Sequence, residues 1–153
     1  MDKHQLHFAI TINAPKARVW YTMLQDATYR QWTAPFNPNG TSWFEGDWTE
    51  GSKILFLGDG EGGHLEGMVS RVKEARPHEF VSIEHLGVVK DGQEDTTSDA
   101  ATLFAPALEN YTFVETHGAT EVRVDMETPE KYRPMFEASW PKALQRLKEL
   151  AEQ

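Results

Sequence analysis

What most constrains this chain is a change of hydrophobic period at Thr128. Before it, apolar residues alternate with polar ones. Across His4–Asn13, Leu6, Phe8, Ile10 and Ile12 share one side and Gln5, His7, Thr11 and Asn13 the other. That is the pattern of a half-buried strand. Val122, Val124 and Met126 repeat it. After Thr128 the steps become three and four: Tyr132, Phe136, Trp140, Leu144, Leu147 and Ala151 line one stripe, with Glu137, Lys142, Arg146 and Glu149 off it. A long amphipathic helix must bury such a stripe, and a sheet is the surface on offer. Thr128 reads as its N-cap and Pro129 as its first helical residue. Pro134 falls in the tolerant first turns, whereas Pro141 removes a backbone bond and predicts a kink near Glu137–Trp140.

The middle of the chain supplies the sheet. Asn13 is a candidate N-cap, with Pro15 in the first turn of a short helix over Ala17–Leu24. A second short helix covers Asp26–Trp32. Pro35, Pro38, Asn39 and Gly40 then break the chain. Strands are predicted at Ser42–Asp47, Lys53–Leu57, Leu65–Glu74 and Phe80–Val89, the last with Val81, Ile83 and His85 on one face. Lys90–Ser98 is polar and turn-rich. Ser98 caps a short helix over Asp99–Ala105, which Pro106 ends. Leu108–Thr116 and Glu121–Glu127 form a hairpin through His117, Gly118 and Ala119. Strands joined by short turns are antiparallel neighbours, because parallel ones need a long crossover. The expected fold class is α+β: an antiparallel sheet of about six or seven strands around a long C-terminal helix, with two short helices after the first strand. The 153 residues make one domain, folding of which buries roughly 70% of the unfolded chain's surface, enough for a core that encloses a pocket.

Charge and composition exclude several partners. Fifteen basic against 24 acidic side chains leave a net charge of −9, a surface that repels phosphate backbones and anionic lipid. Nucleic acid is therefore not an expected partner. No stretch approaches the ~20 apolar residues that span a bilayer, and Met1–Ala9 lacks the apolar run of a signal peptide. The chain has no cysteine, which rules out disulfides, thiolate nucleophiles and sulfur-ligated zinc and fits a cytoplasmic protein.

Several short motifs point to a family. Ile12-Asn13-Ala14-Pro15-Lys16-Ala17-Arg18-Val19-Trp20 resembles the opening I-x-A-P-x-x-x-V-W of the SRPBCC (START-like, helix-grip) superfamily. Trp32, the Gly46-Asp47-Trp48 and Gly51-Ser52 turns, and Ser139-Trp140-Pro141-Lys142-Ala143-Leu144-Gln145-Arg146-Leu147 are similar to further signatures of that group. Ser139 stands where the closing helix usually has Gly. The branch it most resembles is the bacterial relatives of the activator of the ninety-kilodalton heat-shock ATPase. The resemblance covers essentially the whole chain. It implies a curved sheet gripping the long helix, with a cavity between them that takes small apolar molecules in many members. It also implies a chaperone as an alternative partner, although the chain is too short to carry the activator's second domain.

Alternation places Phe56, Ile83, His85, Tyr111, Phe113 and Met126 on the sheet side of that cavity. Tyr132, Met135, Phe136 and Trp140 face them from the helix, and Trp32, Trp43 and Trp48 are assigned to its mouth. The bland alternative for each is plain core filling. His85 in an apolar wall would orient a ligand or act as acid or base. Glu84 points to the opposite face, so Glu66 on a neighbouring strand is its candidate partner; a tethered structural His is the alternative. His64, Glu66, His85 and His117 are metal-ligand types without metal-ligand spacing, so no metal and no cofactor is expected. Gly58-Asp59-Gly60-Glu61-Gly62-Gly63 reads as a hairpin loop, since a phosphate cradle needs a following helix and a Lys. Lys90–Ala107 is either a lid with Leu103 and Phe104 as its plug or a solvated excursion. No Gly-x-Ser-x-Gly nucleophile signature occurs, and no catalytic residue is assigned. Three functions remain open: a non-catalytic binder of a small apolar or amphipathic molecule, a chaperone-activator-like interaction module, and a cyclase- or hydrolase-type enzyme.

Overall fold

The computed structural model describes residues 3–153, Glu61 by its backbone alone. Met1 and Asp2, part of the N-terminus considered above, lie outside the described residues. Strand β1 (Lys3–Ile12) leads into helices α1 (Lys16–Leu24) and α2 (Asp26–Trp32) and a 3-10 turn at Ala34–Phe36. Strands β2 (Ser42–Gly46), β3 (Lys53–Asp59), β4 (Leu65–Arg76), β5 (Phe80–Lys90) and β6 (Gln93–Asp95) follow, then helix α3 (Asp99–Phe104). Strands β7 (Ala107–Thr116) and β8 (Ala119–Pro129) precede a 3-10 turn at Glu130–Tyr132 and helix α4 (Arg133–Ala151). All strand pairs are antiparallel, in the order β1-β8-β7-β5-β4-β3-β2, with β6 beside β5. Eight strands form, one more than the upper expectation. The extra one is β6, three residues within the segment read as turn.

The first strand closes against the last. Leu6, Phe8 and Ile10 pair in register with Met126, Val124 and Val122, so the N-terminal strand brings its apolar row beside that of the C-terminal hairpin. The β7–β8 hairpin turns on His117 and Gly118, both with positive φ, 53° and 80°, as a two-residue loop matched to strand twist requires. Helix α4 lies against β1, α1, α2 and the 3-10 turn at 34–36. It buries Trp140, Ala143, Leu144, Leu147 and Ala151 in the main core with Ile12, Val19, Met23, Val72, Val81 and Phe113.

Two helix starts need correction, each beside a proline. Pro15, not Asn13, is the N-cap of α1, with φ −67° and ψ 155° and no side-chain cap bond. A residue before proline is disfavoured in the helical region, and Ala14 accordingly stays outside the helix. Asn13 instead donates its N–H to Glu152 Oε2 at 2.8 Å, tying the end of β1 to the end of α4. Thr128 and Pro129 do not open the long helix. They stay extended as the last residues of β8, opposite His4 and Lys3, and α4 starts at Arg133 with Pro134 in its first turn. Pro141 is accommodated inside α4, which stays helical from Arg133 to Ala151. Pro141 and Glu137 both face solvent, where water can satisfy the carbonyl freed by the missing N–H.

Helix α3 forms as its cap predicts. The Ser98 side chain accepts the Ala101 N–H at 3.3 Å, and the Asp95 carboxylate takes the Thr97 and Ser98 N–H groups at 3.1 and 3.0 Å. Ser98→Ala is expected to weaken this six-residue helix by about 1 kcal/mol. Faster amide exchange at Ala101 and Thr102, with β7 and β8 unchanged, is the measurement; unchanged exchange would mean that Asp95 alone holds the segment.

Candidate functional site

The sheet, α3 and the first half of α4 enclose a cavity of about 530 Å³. Nine of the thirteen sequence-assigned residues line it: Trp32, Phe56, His85, Tyr111, Met126, Tyr132, Met135, Phe136 and Trp140. Met135 is 43% exposed and marks the open side. Trp32 and Trp140 sit deep in the wall, 1% and 2% exposed. Their indole N–H groups are satisfied internally: Trp32 Nε1 donates to the Met23 carbonyl at 2.9 Å, and Trp140 Nε1 lies 3.1 Å from Met126 Sδ.

The other four lie elsewhere. Ile83 and Phe113 are each 1% exposed and belong to the solid core beyond the cavity. The Trp20 ring from α1 lies 5.3 Å from that of Phe113, so α1 fills this end of the sheet. Trp48 packs behind the wall, 5.6 Å from Phe56 and 5.3 Å from Phe44, with its buried Nε1 unpartnered. Trp43 is on the opposite face. It pairs with Leu57 while Phe44 pairs with Phe56, and it packs on a small outer cluster of Leu57, Val69 and Val89. Its neighbour there is the Arg30 guanidinium, 5.7 Å from the ring.

The polar pole of the cavity is a chain of four side chains, three of them buried and Glu109 half-buried. Ser70 Oγ lies 2.6 Å from His85 Nδ1. His85 Nε2 is 3.0 Å from Glu109 Oε1, and the Tyr111 hydroxyl donates to Glu109 Oε2. His85 thus pairs with Glu109 and not with Glu66. Glu84 does point away, onto Arg71 at 2.7 Å. Glu109 stands opposite Ile83 on β7, so it shares a face with His85 and Tyr111. The alternation Ala107, Glu109, Tyr111, Phe113 in the sequence carried this signal. Burial, with the Glu109 charge as the second cause, raises the Tyr29 and Tyr111 phenols above their ordinary range, so both remain protonated donors.

A bulge resets the facing of β5. Ser70 pairs with His85 but Val69 pairs with Gly87, so Leu86 and Gly87 together oppose one residue. The inward-facing row therefore runs Val81, Ile83, His85 and then Val88, of which the last two line the cavity. Val88 and its partner Met68 both line the cavity, and strict alternation missed them. Within Lys90–Ala107, Phe104 reaches the wall, with ring centroids 6.0 Å from His85 and 6.1 Å from Tyr132. Leu103 does not line the cavity.

Some candidate chemistry is not assembled. Among the described residues no three His, Asp or Glu side chains converge as a metal site. His64 pairs with Asp91 at 2.9 Å and His117 sits in the β7–β8 turn. The glycine-rich segment joins β3 to β4 by a 3-10 turn at Glu61–Gly63. Ser70 is fully buried and bonded to His85, which keeps its hydroxyl from reaching a substrate. No helix of the described residues is long and apolar enough to cross a membrane.

A curved antiparallel sheet wrapped on one long C-terminal helix, with two short helices after the first strand and a pocket between, defines a helix-grip protein. The model of the family described as "Activator of Hsp90 ATPase homolog 1-like protein" matches residues 13–152, and the chain belongs to that family. Solved structures share the fold at low identity. Protein CV1439 from Chromobacterium violaceum superposes with TM-score 0.69 at 20% identity, over 97% of each chain. The Aha1 dimer from Colwellia psychrerythraea gives 0.71 at 17%, over 97% of this chain and 96% of that one. CalU16 from Micromonospora echinospora gives 0.64 at 14%, over 99% and 77%. Among curated proteins none matches.

Proposed function

We propose that this protein is a non-catalytic, cytoplasmic binder of a small, largely apolar molecule held between α4 and the sheet. The observation that carries this reading is the cavity of about 530 Å³, within the range of about 300–1,000 Å³ typical of small-molecule sites. Half of its lining residues are aromatic or methionine, and His85, Glu109 and Tyr111 form a fixed polar group on the sheet side, the division of labour such sites use: apolar area for affinity, a few fixed polar groups for orientation. The same polar groups argue against turnover. Both ring nitrogens of His85 are engaged, so the imidazole is not free to act as a base, and no accessible nucleophile stands beside it among the described residues.

Native mass spectrometry of the freshly purified protein, with denaturing extraction in parallel, is the test. A reproducible extra mass that vanishes on denaturation is expected. Val88→Trp, which fills the cavity from β5, is expected to abolish the extra mass while the circular dichroism spectrum is retained. A wild-type protein that carries no extra mass and takes up no added 1-octanol would sink the reading. Weight would then pass to the chaperone-activator reading that the family description raises, to be checked by stimulation of the host chaperone's ATPase.

A further inference from the structure

The cavity's charge is one-sided. Glu66, Glu109 and Glu127 line it, and among the described residues no Lys or Arg does. Glu127 Oε1 is used by the Leu108 N–H at 2.9 Å and Glu66 lies exposed at the rim, which leaves Glu109 as the interior carboxylate. Its partners fix its state. Ser70 Oγ is fully buried and has no partner except His85 Nδ1 among the described residues. Its proton therefore goes to Nδ1, which leaves His85 neutral and donating from Nε2 to Glu109. Tyr111 donates to the other oxygen. The chain Ser70–His85–Glu109–Tyr111 is thus satisfied with a net charge of −1 and no counter-ion, and each carboxylate oxygen keeps a spare lone pair.

Rings surround this charge. Tyr29, Phe56, His85, Phe104 and Tyr132 follow one another at centroid spacings of 6.3, 5.9, 6.0 and 6.1 Å. Phe36 bridges Phe136 and Trp140 at 6.5 and 5.0 Å, and Trp32 links this group to the first, 5.8 Å from Trp140 and 5.4 Å from Tyr29, in an arc that ends at Tyr132 and Phe136. Ring faces attract cations, most strongly where water is excluded. A half-buried carboxylate with no Lys or Arg beside it does the same and repels anions.

We infer that the cavity selects an apolar cation, an alkyl- or arylammonium group, with Glu109 as its counter-ion and the aromatic arc as its cage. This rests on the binding reading above and names the ligand's chemistry. The test is calorimetric titration with three probes of equal chain length below their aggregation concentrations: octyltrimethylammonium, 1-octanol and octanoate. The cation is expected to bind about tenfold tighter than the alcohol, and octanoate weakest. Glu109→Gln is expected to bring the cation within about twofold of 1-octanol while the alcohol's affinity is unchanged. Tyr111→Phe, which keeps the carboxylate, retains the preference. Phe104→Leu, which leaves Glu109 untouched, is expected to weaken the cation about threefold and the alcohol little, and it decides the matter if Glu109→Gln fails to fold. Equal affinity for cation and alcohol, or a preference that survives Glu109→Gln, would overturn the inference and leave the binding reading standing. Binding of none of the three would overturn both.

Discussion

Trp140→Ala is expected to lower the free energy of unfolding by about 3–5 kcal/mol. Trp140 is the point where the helix meets everything else. It is 2% exposed, and its ring lies 5.8 Å from Trp32 of α2, 5.0 Å from Phe36 of the following 3-10 turn, 6.1 Å from Phe8 of β1 and 5.9 Å from Tyr111 of β7. Its Nε1–H reaches Met126 of β8. Truncation removes contacts to five elements at once and merges the vacated space with the existing cavity. The neighbouring rings are themselves pinned, Trp32 by its bond to the Met23 carbonyl and Tyr111 by Glu109, so they cannot collapse into the gap. The cost stays near the upper end for that reason. Urea unfolding followed by far-ultraviolet circular dichroism measures it, and Trp140→Phe should restore more than half of the loss. A loss below about 1 kcal/mol would show that α4 is held by its C-terminal half, Leu144 and Leu147, and that Trp140 is mainly cavity lining.

What the sequence made legible follows from which interactions are local. The α4 stripe and the alternating β1 and β8 rows are set by period alone, and Met126, Tyr132, Phe136 and Trp140, which they turn inward, line the cavity, as does Tyr111 from the alternation of β7. The Ser98 cap was legible because its bond spans three residues. The failures arise where a neighbouring strand or helix decides. Trp43 and Phe44 are equally apolar neighbours, and only the pairing with Leu57 and Phe56 says which faces in. Val88 became a wall residue through a one-residue bulge on β5, which leaves no apolar signature in β5 itself. Ile83 and Phe113 do point inward, but they belong to the continuous core, where Trp20 of α1 packs on Phe113. Whether an inward residue lines a void or a core depends on where a helix elsewhere in the chain lands. The Glu109–His85 pairing was the most recoverable loss, since Glu109 alternates with Tyr111 in the sequence, although only the β5–β7 pairing brings it beside His85.

Gly67→Ala is expected to destabilise the protein by about 3 kcal/mol, far more than its single added methyl suggests. Gly67 sits on β4 opposite Leu57 of β3, with φ 157°, and a Cβ built there falls 1.8 Å from the Phe56 carbonyl oxygen and 2.9 Å from the Leu57 Cα. Those are backbone atoms inside a hydrogen-bonded ladder, so no side-chain rotation relieves the overlap. The two strands must separate or shift register, and a one-residue shift would turn Phe56 and Met68 away from the cavity. Gly118→Ala supplies the control. Gly118 has φ 80° with nothing within 4 Å of its Cβ position, so it carries only the left-handed backbone penalty of about 1 kcal/mol. Chemical denaturation of the two variants side by side separates steric approach from backbone conformation. If Gly67→Ala costs no more than Gly118→Ala, the strands do not approach as closely as 1.8 Å implies, and the β3–β4 wall of the cavity is looser than the structure has it. If it costs about 2 kcal/mol more, and 1-octanol binding falls with it, the register of β3 on β4 is what keeps Phe56 and Met68 in the cavity wall.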